Sequence, residues 1–339
     1  MENKQYRKHF STLGFILLIG SLLLIGVEFG TMKLIGAIPA LDQNANLEEL
    51  TNLITLYFVS FLLLLLMFRI LPAEEMAPQK KMPLSHICVT FIMCYSLTYI
   101  CNLTGIFITG FLGLFSQIQV SEPSADAVDA VAATTQEPHF LLPFLGTVIL
   151  APIFEELIFR KALISRTINY GESICVLLSG ITFALFHGNS AQTFYSFVLG
   201  VFAAFIYVKT KNILYPVILH MVINLFGAIA ELLLEKYAMD FATSYLAAFM
   251  NGASSDELMA LLTEYSGVLI ICAVLIFMIL AFVITGIVLF FVHLKKYKFS
   301  PGKIRLNKKT LFSVVFLNPG MILFMTFWII WLMLPILFI

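Results

Sequence analysis

The chain has 339 residues, of which 60% are hydrophobic and 12% charged, with 20 basic and 20 acidic side chains. Soluble domains carry about 25% charged residues, so this composition excludes an ordinary water-soluble domain. The formal net charge of zero gives no indication of a nucleic-acid partner, and we predict none.

Apolar stretches of the length that a lipid bilayer requires recur along the whole chain. In order, they lie near 12–36, 52–70, 85–115, 140–159, 172–187, 193–208, 213–231, 268–292 and 310–338. The sequence therefore predicts an all-α, polytopic transmembrane bundle of about eight or nine helices, with the lipid bilayer as its surroundings. We divide it into N-terminal helices with an outer loop (1–139), a helical core (140–230), and an outer amphipathic segment followed by two transmembrane helices (231–339).

The charges of the intervening loops predict an orientation. Positive residues are densest at 293–309, whereas the loops around 42–49, 122–137 and 231–264 are acidic or neutral. For nine spans, the positive-inside rule predicts a cytoplasmic N-terminus. Spans rich in Ile, Leu and Phe, together with the lysine bias, fit a bacterial cell membrane.

Three further segments carry local predictions. Residues 116–139 are predicted to form a flexible outer loop, and the apolar spacing in 232–265 predicts short helices on the outer surface. In the last apolar stretch, Asn318-Pro319-Gly320 predicts a helix break.

Polar residues inside three successive apolar stretches carry the chemical information. An ionisable residue within a span costs about 2.5–3.5 kcal/mol on insertion scales, so each one needs a reason. These residues are Glu155, Glu156 and Arg160 in LAPIFEELIFRKAL, His187 in GITFALFHGNS, and His220 with Asn224 in LYPVILHMVINLFG.

The spacing of these residues indicates how they are used. Glu156 and Arg160 are four residues apart and are expected to pair on one helix face. Glu155 points about 100° away, which leaves it without a local partner and turned toward a neighbouring helix. If the three helices converge, the cluster is suited to deprotonate a water, to stabilise an oxyanion, or to hold a metal with an open position. A proton relay in a transporter is the alternative use of the same cluster.

The predicted spans do not by themselves bring the polar residues of the three helices to one depth in the membrane. If the fourth span runs inward from about 140, Glu155 lies about 22 Å down it, while His187 falls near the outer end of the fifth span and His220 nearer the inner face. We therefore expect a tilted, shifted or irregular helix at this point.

The motifs E-E-x-x-x-R, F-x-x-x-H and H-x-x-x-N occur here in this order, the second being Phe183…His187. Together they resemble the CAAX-protease and bacteriocin-processing family, also called CPBP or Abi, over roughly residues 140–228. The resemblance implies a catalytic core at 140–230 and an intramembrane endopeptidase whose partner is a peptide or protein substrate that reaches the membrane.

The resemblance also implies roles for individual residues. Glu155 with His187 would activate the attacking water, and His220 with Asn224 would stabilise the oxyanion.

The family resemblance does not decide between a metalloprotease and a metal-free glutamate peptidase. Glu156 and Arg160 would hold the site together or contact substrate. No H-E-x-x-H helix is present. If a metal is used, zinc is the expected ion, and Glu155, His187 and His220 are its expected ligands.

Two other functions fit the same residues. One is a non-catalytic membrane partner in peptide immunity, and the other is a proton-coupled or ion-coupled transporter. The intact motifs argue against the first, and the absence of paired, Gly/Pro-broken halves in the sequence argues against the second.

Overall fold

The computed structural model of the chain describes residues 2–76, 81–113, 140–233 and 238–337. These ranges are mostly helical and contain no β-strand, which confirms the all-α prediction. The flexible loop predicted at 116–139 lies outside the described residues.

The main helices of the described ranges are numbered α1 to α12 in chain order. They are α1 (Glu2–Ala37), α2 (Ala45–Ile70), α3 (Leu84–Gly113), α4 (Leu141–Tyr170), α5 (Glu172–Phe186), α6 (Ser190–Thr210), α7 (Leu214–Glu231), α8 (Met239–Met250), α9 (Ser255–Glu264), α10 (Ser266–His293), α11 (Lys308–Phe316) and α12 (Pro319–Leu337).

Seven of the described helices are long and apolar enough to cross a membrane, and the bent pair α11–α12 makes an eighth. The chain is thus an integral, multi-pass membrane protein, as predicted. The fifth predicted span, 172–187, corresponds to α5, which has only 15 residues. At 1.5 Å per residue it reaches about 22 Å, which is short of a hydrocarbon core of about 30 Å.

The predicted helix break in the last span is confirmed by a bend of 66° between α11 and α12. Asn318 occupies the bend: its amide nitrogen donates to the carbonyls of Val314 and Val315. Its Oδ1 accepts from the backbone of Met321 at 3.0 Å. These bonds satisfy polar groups that the missing N–H of Pro319 leaves without a regular helical partner.

The boundary predicted near 159 for the fourth span is wrong. Helix α4 continues to Tyr170, and α5 begins at Glu172 after a turn at Gly171. The φ of Gly171 is +110°, a value that favours glycine. Glu155 and His187 consequently lie on the two arms of one hairpin, each 16 residues from Gly171. The expected mismatch in their depth is removed.

Basic residues gather at the end of the bundle that contains Gly171, which we call the basic end. The ring of Tyr6 on α1 lies 5.7 Å from that of Tyr170. Lys209 at the end of α6 pairs with Glu172, whose carboxylate also accepts from the backbone of Ser300. The first turns of α1, the Gly171 turn and the end of α6 therefore share one side.

Residues 297–306, the crossing segment, run beneath the Gly171 turn. The Ile304 amide donates to the Asn169 carbonyl at 2.9 Å. Glu74, after α2, accepts from Lys303 Nζ at 2.8 Å and from Asn169 Nδ2 at 2.7 Å. Glu74 thus joins the N-terminal helices, the α4–α5 hairpin and the C-terminal part.

We expect acidification to loosen this junction. The hydrogen bonds from Lys303 and Asn169 hold the pKa of Glu74 below its ordinary value of 4.5. A lowered folded-state pKa gives a contribution to stability that is present above pH 4.5 and lost as the pH falls through the folded value. Hydrogen exchange should show the protection factor of the Ile304 amide falling over that range. The Leu311 amide, which donates to the carbonyl of Asn307 at the start of α11, should be unaffected.

Glu74→Gln is the matched variant for this prediction. It should show low Ile304 protection at every pH, because the neutral amide cannot hold the Lys303 ammonium as a carboxylate does. An Ile304 protection factor that drops with pH equally in the variant would contradict the role of Glu74.

Candidate active site

The helix that carries Glu155 and Glu156 is irregularly wound on both sides of them. Residues Leu145–Leu150 and Leu157–Ala162 form π-helical turns, and Ala151–Glu156 between them is α-helical. Such π turns occur often at functional sites because they change the direction in which side chains project.

Glu156 and Arg160 form the predicted ion pair, with 2.8 Å between Glu156 Oε2 and Arg160 Nε and no exposure of either side chain. The angle at Nε departs from that of a hydrogen bond, and Nη1 and Nη2 are buried without a hydrogen-bond partner in the described part of the chain. The guanidinium carbon lies 4.4 Å from the centre of the Phe183 ring, a cation–π distance. Buried ion pairs often contribute little net stability, although removing one partner alone is strongly destabilising.

His220 lies between the two carboxylates. Its Nδ1 is 3.0 Å from Glu156 Oε1, and its Nε2 is 3.8 Å from Glu155 Oε2. Because Glu156 is paired with a guanidinium, its carboxylate is an acceptor and the Nδ1–H of His220 donates to it. The longer Glu155 contact exceeds hydrogen-bond length, and Glu155 Oε2 is buried without a hydrogen-bond partner among the described residues.

His187 follows the last residue of α5 and enters the site from the other arm of the hairpin. Its Nδ1 donates to the Phe183 carbonyl at 2.9 Å, which leaves Nε2 as the nitrogen available for other partners. The ring lies within electrostatic range of Glu155 and His220.

The ring of Phe183 is an apolar surface that several of the polar site residues contact. The ring is fully buried. Its centre lies 4.7 Å from the centre of the His187 ring and 5.7 Å from the centre of the His220 ring. With the guanidinium of Arg160 also on this ring, one phenyl group contacts side chains from α4, α7 and the end of α5. The buried phenyl ring therefore packs against three of the predicted site residues at once.

Asn224 lies one turn beyond His220 on α7. Its Nδ2 donates to the Thr147 carbonyl at 2.9 Å, inside the first π turn of α4. A carboxamide has two N–H donors, so the second remains for another acceptor. Asn224 therefore ties α7 to α4 next to the site while keeping one donor free of this bond.

The N-terminal helices also contribute to the walls of the site, which the motifs did not indicate. Tyr57 lies in a π turn of α2, donates to the Gly146 carbonyl at 3.4 Å, and packs its ring 5.5 Å from that of Phe154. Both Tyr57 and the buried Cys94 of α3 lie within electrostatic range of the site carboxylates. Neither residue had a sequence signal, because an isolated Tyr or Cys in an apolar stretch is usual.

The nitrogen and oxygen donors of the site can be compared with the ligands that zinc prefers. Both imidazoles have Nδ1 engaged with an oxygen acceptor and direct Nε2 elsewhere, which is the arrangement usual for metal-bound histidines. The buried Oε2 of Glu155 supplies a carboxylate oxygen. The donor chemistry fits zinc, although no three His, Cys, Asp or Glu side chains within the described ranges are already spaced as a metal site. Zinc held by Glu155, His187 and His220 stays a prediction.

Comparison with known families identifies the segment that contains this cluster. Residues 137–226 match the family described as type II CAAX prenyl endopeptidase Rce1-like, and all six predicted site residues fall within that match. No curated protein and no solved structure matches the chain. The family match confirms the resemblance read from the three motifs and indicates an intramembrane protease of the CAAX type.

Proposed function

We propose, from the premise that residues 137–226 form the core of a CAAX-type intramembrane protease, that Glu155 and His187 activate a water for peptide-bond hydrolysis. The observation that carries the proposal is the position of His220 between two carboxylates, of which Arg160 neutralises only one. Among the described residues, Oε2 of Glu155 is buried without a hydrogen-bond partner, which leaves it available to accept a proton.

The reaction follows from these positions. Glu155 takes a proton from a water that His187 Nε2 helps to hold, and the water oxygen bonds to the scissile carbonyl carbon. The C–N bond then breaks as protonated Glu155 returns the proton to the leaving amine. The products are a carboxylic acid and an amine, so atoms and charges balance.

His220 and Asn224 stabilise the tetrahedral oxyanion in this proposal. The two glutamates and Arg160 sum to one negative charge, so a protonated His220 makes the cluster neutral and gives it an Nε2–H donor. The second N–H of Asn224 is the other donor. Glu156 acts as a positioning residue, because its ion pair with Arg160 fixes the carboxylate that orients His220.

The zinc alternative uses the same residues in another protonation state. Zinc held by Glu155, His187 and His220 would lower the pKa of its water and polarise the scissile carbonyl. His220 would then have to present Nε2 without its proton, which separates this alternative from the metal-free reaction.

Substrate and location are also part of the proposal. The substrate is a peptide or protein that reaches the site from the membrane or its surface. The N-terminus is cytoplasmic in a bacterial cell membrane, a placement supported by the basic residues gathered at one end of the bundle.

We test the proposal with detergent-purified protein and a labelled peptide. The metal content is measured, and cleavage is followed with and without a chelator. The metal-free reaction predicts less than stoichiometric zinc and cleavage that the chelator does not change. Zinc at one equivalent, with activity lost in chelator and restored by zinc, would establish the metalloprotease alternative.

His187→Ala provides the second arm of this test. We expect cleavage to fall by about 10²-fold or more, in the range of lost general acid–base groups. The exposed His86→Ala variant is the matched control and should keep its activity. Unchanged cleavage in His187→Ala would contradict the proposed mechanism. Proton flux that is coupled to substrate, measured in liposomes, would instead identify a transporter.

A further inference from the structure

A cavity of about 500 Å³ opens at the basic end, between the start of α1 and the start of α11. Lys4 and Arg7 line it from α1, and Lys309, Thr310 and Ser313 line it from α11. It lies outside the α4–α5–α7 cluster, and the protease proposal does not use any of its residues.

The two walls of the cavity are fixed to each other. The Arg7 guanidinium donates to the Leu317 carbonyl, and the Gly320 amide donates to Ser11 Oγ at 3.1 Å. Below these bonds, Gly14 of α1 packs directly against the backbone of Gly320, at a separation that only glycine permits. The cavity is thus a built feature of a close helix junction.

The described lining of the cavity has a net positive charge. Three of the lining residues are cations, none is acidic, and the ion pairs of the described residues do not include Lys4, Arg7 or Lys309. Two hydroxyls and the spare N–H groups of Arg7 add neutral and charged donors. Several donors that converge with net positive charge match the oxygens of a phosphate group.

The surroundings favour phosphate that is attached to a lipid. The cavity lies just before the apolar run of α1, so a bilayer that surrounds this run would place its headgroups at the level of the cavity. Next to the cavity, the apolar side chains of Phe312 on α11 and of Leu317, which follows α11, are 53% and 46% exposed. Such side chains would lie against acyl chains if the phosphate belonged to a lipid.

We propose that this cavity is a phosphate-binding site whose ligand is the headgroup of an anionic phospholipid, with free phosphate as the other source of the same chemistry. Binding there joins α1 to the α11–α12 pair, so an occupied site should hold the first and last helices together. The site does not depend on the protease proposal, and its test does not use cleavage.

The test measures thermal unfolding of the full-length protein in detergent micelles while phosphatidylglycerol, phosphatidylcholine or inorganic phosphate is titrated in. Wild-type protein should gain Tm with phosphatidylglycerol and not with phosphatidylcholine. In Lys4→Gln/Lys309→Gln, the lipid concentration that gives half of the shift should rise about 30-fold, since each near-surface lysine is worth about fivefold in affinity.

Lys295→Gln/Lys296→Gln is the matched control, because it removes the same charge from exposed positions outside the cavity. It should respond like the wild type. A shift with inorganic phosphate that only the cavity variant loses would identify free phosphate as the ligand, whereas a shift with lipid alone identifies the headgroup. No shift in the wild type, or equal shifts in the two double variants, overturns the proposal.

Discussion

Glu155→Gln should lower kcat/KM for peptide cleavage by about 10³-fold or more while leaving the bundle folded. Glutamine has the shape of glutamate but cannot accept the proton of the attacking water. The buried Oε2 of Glu155 has no hydrogen bond in the described structure, so the substitution removes little packing or bonding. The measurement is steady-state cleavage of a labelled peptide, together with the thermal unfolding curve of each protein.

The matched control is Glu264→Gln, the same chemical change at an exposed position at the end of α9. It should cleave at the wild-type rate. If Glu155→Gln kept more than about a tenth of the activity, Glu155 would not be the base.

Arg160→Met should destabilise the protein by about 3–5 kcal/mol, since it leaves the Glu156 carboxylate buried without its cation. This is the largest stability change that we expect from a single substitution in the site. Chemical unfolding in mixed micelles gives the free energy. A loss below about 1 kcal/mol would mean that solvent or another group already compensates the charge.

The double variant Glu156→Gln/Arg160→Met separates structure from catalysis. Removing both charges should restore most of the stability, because no uncompensated ion remains in the core. Cleavage should stay low, because His220 loses the carboxylate that accepts its Nδ1–H. Recovery of both stability and activity would show that the pair serves only packing.

Much of this site was accessible from the sequence, for a physical reason. Polar residues are costly in apolar helices, so Glu155, Arg160 and His220 were conspicuous wherever they occurred. The i,i+4 pairing of Glu156 with Arg160 follows from helix geometry alone. The composition and the length of the apolar stretches predicted the membrane bundle, because both depend on the lipid that surrounds the helices.

The end of α4 was not accessible in this way. The polar residues after 159 suggested a loop, yet the helix runs to Tyr170. Arg166 is half-buried, and its Nε donates to the Phe68 carbonyl at 2.6 Å and its Nη1 to the Ala162 carbonyl at 2.8 Å. These bonds to α2 and to the preceding turn satisfy the guanidinium, and a hydropathy pattern cannot reveal a partner that is about 100 residues away.

The neighbours of each site residue were likewise beyond the sequence. The family resemblance joined Glu155 to His187, while the shortest carboxylate–imidazole distances in the described structure belong to His220. The contacts of Tyr57 and Phe183 depend on packing between helices. Such distances are set by tilt and by π turns, neither of which has a distinct residue pattern here.

The equal arms of the α4–α5 hairpin make chain length a constraint on the site. One residue inserted between Glu155 and Gly171 would rotate the carboxylate by about 100° and move it by about 1.5 Å relative to His187. Seven residues added to one arm would point the Glu155 carboxylate toward His187 again, but would shift it along the helix axis by about 10 Å. Only the addition of two helical turns to both arms would keep the direction of the carboxylate and its position relative to His187. Substitutions along the arms should therefore be tolerated far more often than insertions or deletions.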